Sequence, residues 1–335
     1  MKSLRKMKSP GREGKRMKKS NILSAIEKAG SIMIAGHIRP DGDCVGSCMG
    51  TYHYIRARYP EKKVQVRLED VPDSYRCIPD SDVICTEYPE EASCDLFIAV
   101  DVSDKNRLGK ALPYFEKAGH TICIDHHISN EGFADENHIE PDASSAAEVL
   151  ACLMDEEDIN EKAAYALYLG MICDSGVFKY DSTSRRTMDT AGMLMEKGIP
   201  FTQIINEAFY EKTYLQNRLL GKCLMESVLS EDGTIISCML SRSVMEEWGA
   251  ANSDLEGIVS QMLLTKGTKA SIFASENSDG SWKFSLRSGS DVDVAAVAAA
   301  FGGGGHIRAA GCTVKANAEA ACRKMHYMIR EQIHV

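Results

Sequence analysis

No run of apolar residues in this chain of 335 approaches the roughly 18 that a membrane-spanning helix needs. Its first residues also lack the apolar stretch of a signal peptide. Both absences make a cytoplasmic location, with no membrane partner, the expectation. Twelve cysteines are present but none forms a C-x-x-C pair, and several lie inside apolar runs such as TICID and GMICD. Reduced thiols are therefore expected, rather than a disulfide framework or a structural zinc site. There is no G-x-S-x-G elbow and no Cys/His framework, which leaves a nucleophilic serine or cysteine without support. Internal repeats are also lacking.

What is present is an ordinary globular composition, 44% hydrophobic and 26% charged, in a chain long enough for two domains. The net charge of −9 is unevenly spread. Residues 1–20 carry nine Lys/Arg against Glu13, which leaves 30 basic and 47 acidic residues, a net of −17, for the remainder. The basic segment 1–20 reads as a solvated disordered tail. A body so acidic is a poor non-specific binder of duplex DNA.

From residue 31 onward, short apolar runs alternate with helical periodicity. Residues 31–36, 64–69, 95–101 and 121–127 read as strands, and 47–59, 144–157 and 161–172 as helices. The repetition predicts a mostly parallel α/β sheet with helices on both faces. Residues 184–198 and 214–230 read as further helices, followed by strands at 234–241, 269–276 and 281–288, then helices at 291–301 and 317–333. The expected division is a catalytic domain over 21–190, a helical connection over 191–215 and a smaller α/β domain over 216–335, with the active site in the cleft between the domains.

Polar residues gather where the first-domain strands end. The segment GHIRPDGDCVGS places His37, Asp41 and Asp43 in one expected loop, Asp101 ends an apolar strand, and Asp125-His126-His127 end another. Asp174 follows an apolar helix in YLGMICDSG. Each alone has an ordinary reading as a turn or cap residue. Gathered at one sheet edge, they carry negative charge that calls for a cation. Oxygen-rich coordination with one or two imidazoles suits Mn²⁺ or Mg²⁺, and two such ions about 3.5–4 Å apart recur in phosphate-ester hydrolysis. Cys44, Cys123 and Cys173 stand beside these residues; packing explains them, while a position close to the ions would favour a softer metal. In the C-terminal region, FGGGGHIRAAG places four glycines before His306, a run expected to be neither helix nor strand and suited to close approach of a ligand's phosphate. SLRS supplies Arg287 and Ser288 as a phosphate-binding pair.

Taken in order, HIRPDGD, AVD, IDHH, ICDSG, SLRS and GGGGH-x-x-AAG resemble the DHH phosphoesterase superfamily with its DHH-associated C-terminal domain, over about residues 20–335. The length is similar to the NrnA-like nanoRNase and pAp-phosphatase branch. The resemblance implies two Mn²⁺ ions, with Mg²⁺ or Co²⁺ as substitutes. One would be held by His37, Asp41 and Asp101, the other by Asp43, Asp101, His126 and Asp174. Asp125, His126 and His127 would form the catalytic group, and Arg287, Ser288, Gly303, Gly304 and His306 would bind substrate. The implied substrates are short single-stranded RNA, dinucleotides or pAp. Hydrolysis of cyclic or linear dinucleotides, and a non-catalytic nucleotide-binding regulator, stand as alternatives, and a homodimer is left open.

Overall fold

Strands rich in Ile, Val, Leu and Ala on both faces build the first sheet of the computed structural model, which describes residues 22–89, 93–289, 291–315 and 317–333. The basic segment 1–20 lies outside the described residues. β1 (Ser31–Ala35), β2 (Lys63–Arg67), β3 (Ile84–Cys85), β4 (Leu96–Val100), β5 (His120–Asp125) and β6 (Glu136–Ile139) are all parallel. Their order is β3-β2-β1-β4-β5-β6, and Ile34, Ile98 and Ile122 are paired across three neighbouring strands.

The period of two sends alternate residues to opposite cores. Ile32, Ile34, Ile98 and Ile122 pack under helices α1 (Gly42–Arg58), α3 (Ala146–Leu153) and α4 (Glu161–Ser175). Met33, Phe97 and Cys123 pack on the other face against Leu108 and residues of α2 (Leu112–Lys117), such as Tyr114 and Phe115. With both faces covered, the strands need no polar alternation, which is why they appear as continuous apolar runs. The order reverses between β1 and β4, and open α/β sheets bind ligands at the carboxyl end of such a reversal.

Helices α1 and α4 approach so closely that side chains are excluded between them. A Cβ on Gly46 would stand 2.4 Å from the Ala166 carbonyl oxygen and 2.8 Å from the Gly170 nitrogen. One on Gly170 would stand 2.8 Å from Asp43 Oδ1, so the first turn of α1 meets the last turns of α4. α5 (Arg185–Glu196) packs Ala191 and Leu194 into the same core.

The chain divides after Glu211, and the second unit begins at Lys212. Its sheet has the order β11-β12-β10-β9-β8-β7, formed by β7 (Val228–Leu229), β8 (Ile235–Leu240), β9 (Ala270–Glu276), β10 (Trp282–Ser288), β11 (Gly304–His306) and β12 (Ala309–Val314). Only β8 and β9 pair in parallel. One face packs Ile272, Phe284 and Leu286 against α8 (Val294–Ala299) and α9 (Ala318–Ile333). The other packs Ile236, Cys238 and Phe273 against α6 (Tyr214–Met225) and α7 (Ile258–Leu263).

Three expectations need correction. Asp43 is not in a loop: α1 starts at Gly42, with Asp41 as its N-cap accepting from the Cys44 amide at 3.1 Å. The Gly-rich sequence there suggested a turn, whereas Gly46 serves helix packing. Asp174 does not follow its helix but lies in its last turn, which Gly176 closes with a left-handed φ of 58°. The glycine run does enter a strand, since Gly304 pairs with Gly311 and His306 with Ala309. β12 supplies hydrogen-bond partners that local propensity does not reveal.

Gly46→Ala should therefore destabilise the protein by about 1–3 kcal/mol through overpacking. Gly192→Ala is the control: it lies mid-helix in α5 with nothing within 4 Å of the added carbon, and should be neutral or stabilising by about 0.5–1 kcal/mol. Denaturant melts of both variants check this, and equal stability would refute the close-packing argument.

Candidate metal centre

Three strand ends and two helix termini bring the predicted acids and imidazoles together. His37 follows β1, Asp101 follows β4 and Asp125 ends β5. Asp101 adopts a left-handed φ of 56°, a conformation that Asp tolerates better than most residues, and its amide donates to Ile124 O at 3.0 Å. His37 Nε2 lies 3.5 Å from Asp101 Oδ2 and 3.7 Å from Asp41 Oδ2. His126 Nε2 lies 3.1 Å from Asp174 Oδ2, 3.7 Å from Asp101 Oδ1 and 3.9 Å from Asp43 Oδ2. Asp101 thus stands between the two imidazoles, facing each with a different oxygen.

The ring tautomers follow from the other nitrogens. His37 Nδ1 donates to its neighbour's carbonyl, Ile38 O, at 2.9 Å, which leaves Nε2 as the lone-pair side. His127 Nδ1 donates to Asp125 Oδ1 at 2.8 Å, and Asp125 Oδ2 accepts from Asn130 Nδ2 at 2.7 Å. Burial alone would raise the Asp125 carboxyl, but these bonds hold it below the usual carboxylate range. The Asp125 bond likewise raises His127 above the ordinary histidine range.

Asp43 is fully buried, and the start of α3 holds it. Its Oδ2 accepts from the Ala146 amide at 2.6 Å, and its Oδ1 from Ala147 N at 3.0 Å and Ser47 Oγ at 3.1 Å. A helix N-terminus offers both free amides and partial positive charge to an anion. The loop before α3 is itself anchored. Glu148 Oε2 accepts from Ser144 N, Ser144 Oγ and Thr187 Oγ1 at 3.0, 2.7 and 2.8 Å, and Arg186 pairs with both Glu148 and Glu140.

These bonds leave negative charge uncompensated. Burial, with the charges of Asp101 and Asp174 close by, pushes the Asp43 carboxyl well above its usual range. Burial raises Asp101 as well. Burial would lower His126, but its bond to Asp174 and the charges of Asp43 and Asp101 raise it to about 10. Asp101 Oδ1 is buried and makes no hydrogen bond among the described residues. An orphaned carboxylate oxygen between imidazoles and further acids fits a divalent cation, which replaces the protons that the acids and imidazoles otherwise retain.

Reasoning from sequence missed Asn130, Arg186, Glu148 and the Ala146 and Ala147 amides. A signal for the amides existed in SSAAE, an N-cap serine before two residues small enough for a carboxylate to approach. Arg186 and Glu148 are 38 residues apart, and no spacing rule connects them.

In the second unit, Arg287 and His306 each pair with Ala309, so the three side chains form a row on one sheet face, with the smallest in the middle. Arg287 Nη1 donates to Leu286 O at 3.0 Å. The neighbouring Ser288 is buried and donates to Val292 O at 2.6 Å. Gly304 is exposed, while a Cβ on Gly303 would stand 2.1 Å from Gly311 O, so Gly303 is held against β12.

A parallel sheet whose carboxyl edge carries cation-fitting acids and imidazoles suits a metal-dependent hydrolase, and comparison with known proteins gives the class, the hydrolases of phosphoester bonds. Residues 31–171 match the DHH family N-terminal domain and residues 232–331 the DHHA1 domain, and the chain belongs to this DHH family. It is 26% identical over 318 residues to the bifunctional oligoribonuclease and PAP phosphatase NrnA of Thermus thermophilus, covering 94% of this chain and 93% of that one. The Bacillus subtilis protein of the same name is 27% identical over 301 residues, covering 88% and 93%. The crystal structure of an exopolyphosphatase-related protein from Bacteroides fragilis superposes with a TM-score of 0.85 at 26% identity, covering 98% of each chain.

With no cation bound, the proton on His126 contributes stability that is complete below the ordinary 6.5 and is lost as pH rises through about 10. The raised Asp43 and Asp101 act in the same direction, because the folded state holds protons that the unfolded chain has released. Chelator-treated protein should therefore melt at progressively lower temperature between these two pH values, and saturating divalent cation should flatten the slope. A melting temperature that rises over that interval without cation would contradict the proton-for-cation account.

Proposed function

We propose that the protein hydrolyses very short oligoribonucleotides to mononucleotides and removes the 3′-phosphate from pAp, using two Mn²⁺ ions. The observation that carries this reading is the placing of Asp101 between His37 and His126, at 3.5 and 3.7 Å, with Asp43 and Asp174 completing the group. The names of the relatives, spanning nearly the whole of both chains, supply the substrate class.

In this reading His37, Asp41 and Asp101 hold one ion, and Asp43, Asp101, His126 and Asp174 the other, with Asp101 as the shared ligand. When bound, the ions supply Lewis acidity at the phosphoryl group and activate water at neutral pH. The chain's own groups do the rest. The α3 amides fix both Asp43 oxygens, so this ligand has little freedom to reorient. Asp125 fixes the His127 tautomer and favours its protonated form, which suits it to give a proton to the departing oxygen. Asn130 keeps Asp125 ionised by donating to its second oxygen. In the second unit, Arg287 and His306 anchor a substrate phosphate, Arg287 through the planar fork that matches phosphate oxygens. The buried Ser288 hydroxyl supports the end of β10 beside them.

Purified protein with Mn²⁺ should release mononucleotides from dinucleotides and phosphate from pAp. Binding of both without turnover would instead favour a nucleotide-binding regulator. Asp101→Asn should lower turnover by about three orders of magnitude or more while the fold is kept; wild-type turnover would refute a shared ligand. Arg287→Ala should raise KM for dinucleotides about tenfold or more at unchanged metal content, and metal loss in this variant would contradict its assignment to substrate.

A further inference from the structure

Cys44 sits one residue beyond Asp43 and is fully buried. Its sulfur, a ring nitrogen of His37 and a carboxylate oxygen of Asp101 all lie within 4.8 Å of one another. Cys48, also fully buried, lies one turn further along α1. Room for the sulfur comes from residue 36, where a Cβ would stand only 2.1 Å from Cys44 Sγ, so glycine at that position is what lets the thiol reach the edge of β1. Asp101, 2% exposed, faces His37 with Oδ2 at 3.5 Å.

We propose that Cys44 is a sulfur ligand of the ion beside His37, so that this site binds a softer divalent metal than an all-oxygen and imidazole set would select. The inference rests on the reading that the cluster holds a divalent ion. A N/O/S donor set favours Zn²⁺ and Co²⁺ over Mn²⁺ beyond the ordinary affinity order. The thiol loses its proton to solvent as the metal–sulfur bond forms. Cys173 provides a built-in comparison. It lies against Gly42, whose added Cβ would stand 2.1 Å from its sulfur, but it belongs to none of the clusters with metal-binding spacing among the described residues.

The full chain, stripped of metal and titrated with Co²⁺, tests this by absorption, independently of catalysis. A sulfur-to-cobalt charge-transfer band in the near ultraviolet is expected in the wild type, in Cys48→Ser and in Cys173→Ser, and its loss is expected in Cys44→Ser. Visible ligand-field bands without the charge-transfer band in the wild type would overturn the sulfur ligand and leave the metal centre standing. No cobalt binding at all would overturn both. Persistence of the band in Cys44→Ser would assign the sulfur elsewhere and overturn the proposal. The wild-type spectrum decides whether any sulfur binds the ion, and where Cys44→Ser fails to fold, loss of the band in Cys44→Ala makes the assignment. Zn²⁺ affinity should fall about tenfold or more in whichever Cys44 variant folds, with Mn²⁺ affinity changing far less; equal losses for both metals would count against a sulfur bond.

Discussion

The molecule is organised around a concentration of buried negative charge at the carboxyl edge of a parallel sheet. Asp43 and Asp101 are both removed from water, with Asp174 and two imidazoles beside them. Burying one carboxylate is costly, and burying two within reach of a third is costlier. The fold meets part of that cost with the amides at the start of α3 and part with imidazolium charge, and leaves one Asp101 oxygen without a hydrogen bond among the described residues. The unmet remainder is what a divalent cation would satisfy.

The supporting structure follows from this need. The missing Cβ of Gly170 leaves room for Asp43 beside Ala147 of α3, and Glu148, paired with Arg186, holds Ser144 in the loop ahead of α3. A chain of contacts therefore runs from a helix-packing glycine and an ion pair between α3 and α5 to the position of one carboxylate. Buried ion pairs of this kind add little to stability, and here their effect is on placement.

The two sheets differ in construction, and each suits a different kind of site. Strand ends in a parallel sheet converge at one edge, which suits a cluster of ligands around a point. The antiparallel part of the second sheet instead lines side chains in rows, as with Arg287, Ala309 and His306, which suits an extended surface for a phosphate and its neighbours.

The sequence by itself determined the layered α/β class, since apolar runs followed by polar strand ends can be read without a structure. It also marked His37, Asp43, Asp101, His126 and Asp174 as candidates, because all occur where an apolar element begins or ends, and the structure brings them together. Only tertiary structure decided how these residues meet. The distances around Asp101, the capture of Asp43 by the Ala146 and Ala147 amides, and the link from Arg186 to Glu148 join residues tens of positions apart. The strand character of Gly304–His306 depends on β12, and β6 was hidden because ENHI has no apolar alternation and pairs on the strength of its neighbour. Local propensity is written residue by residue, whereas pairing across a sheet and burial of charge are decided by whatever the rest of the chain places alongside.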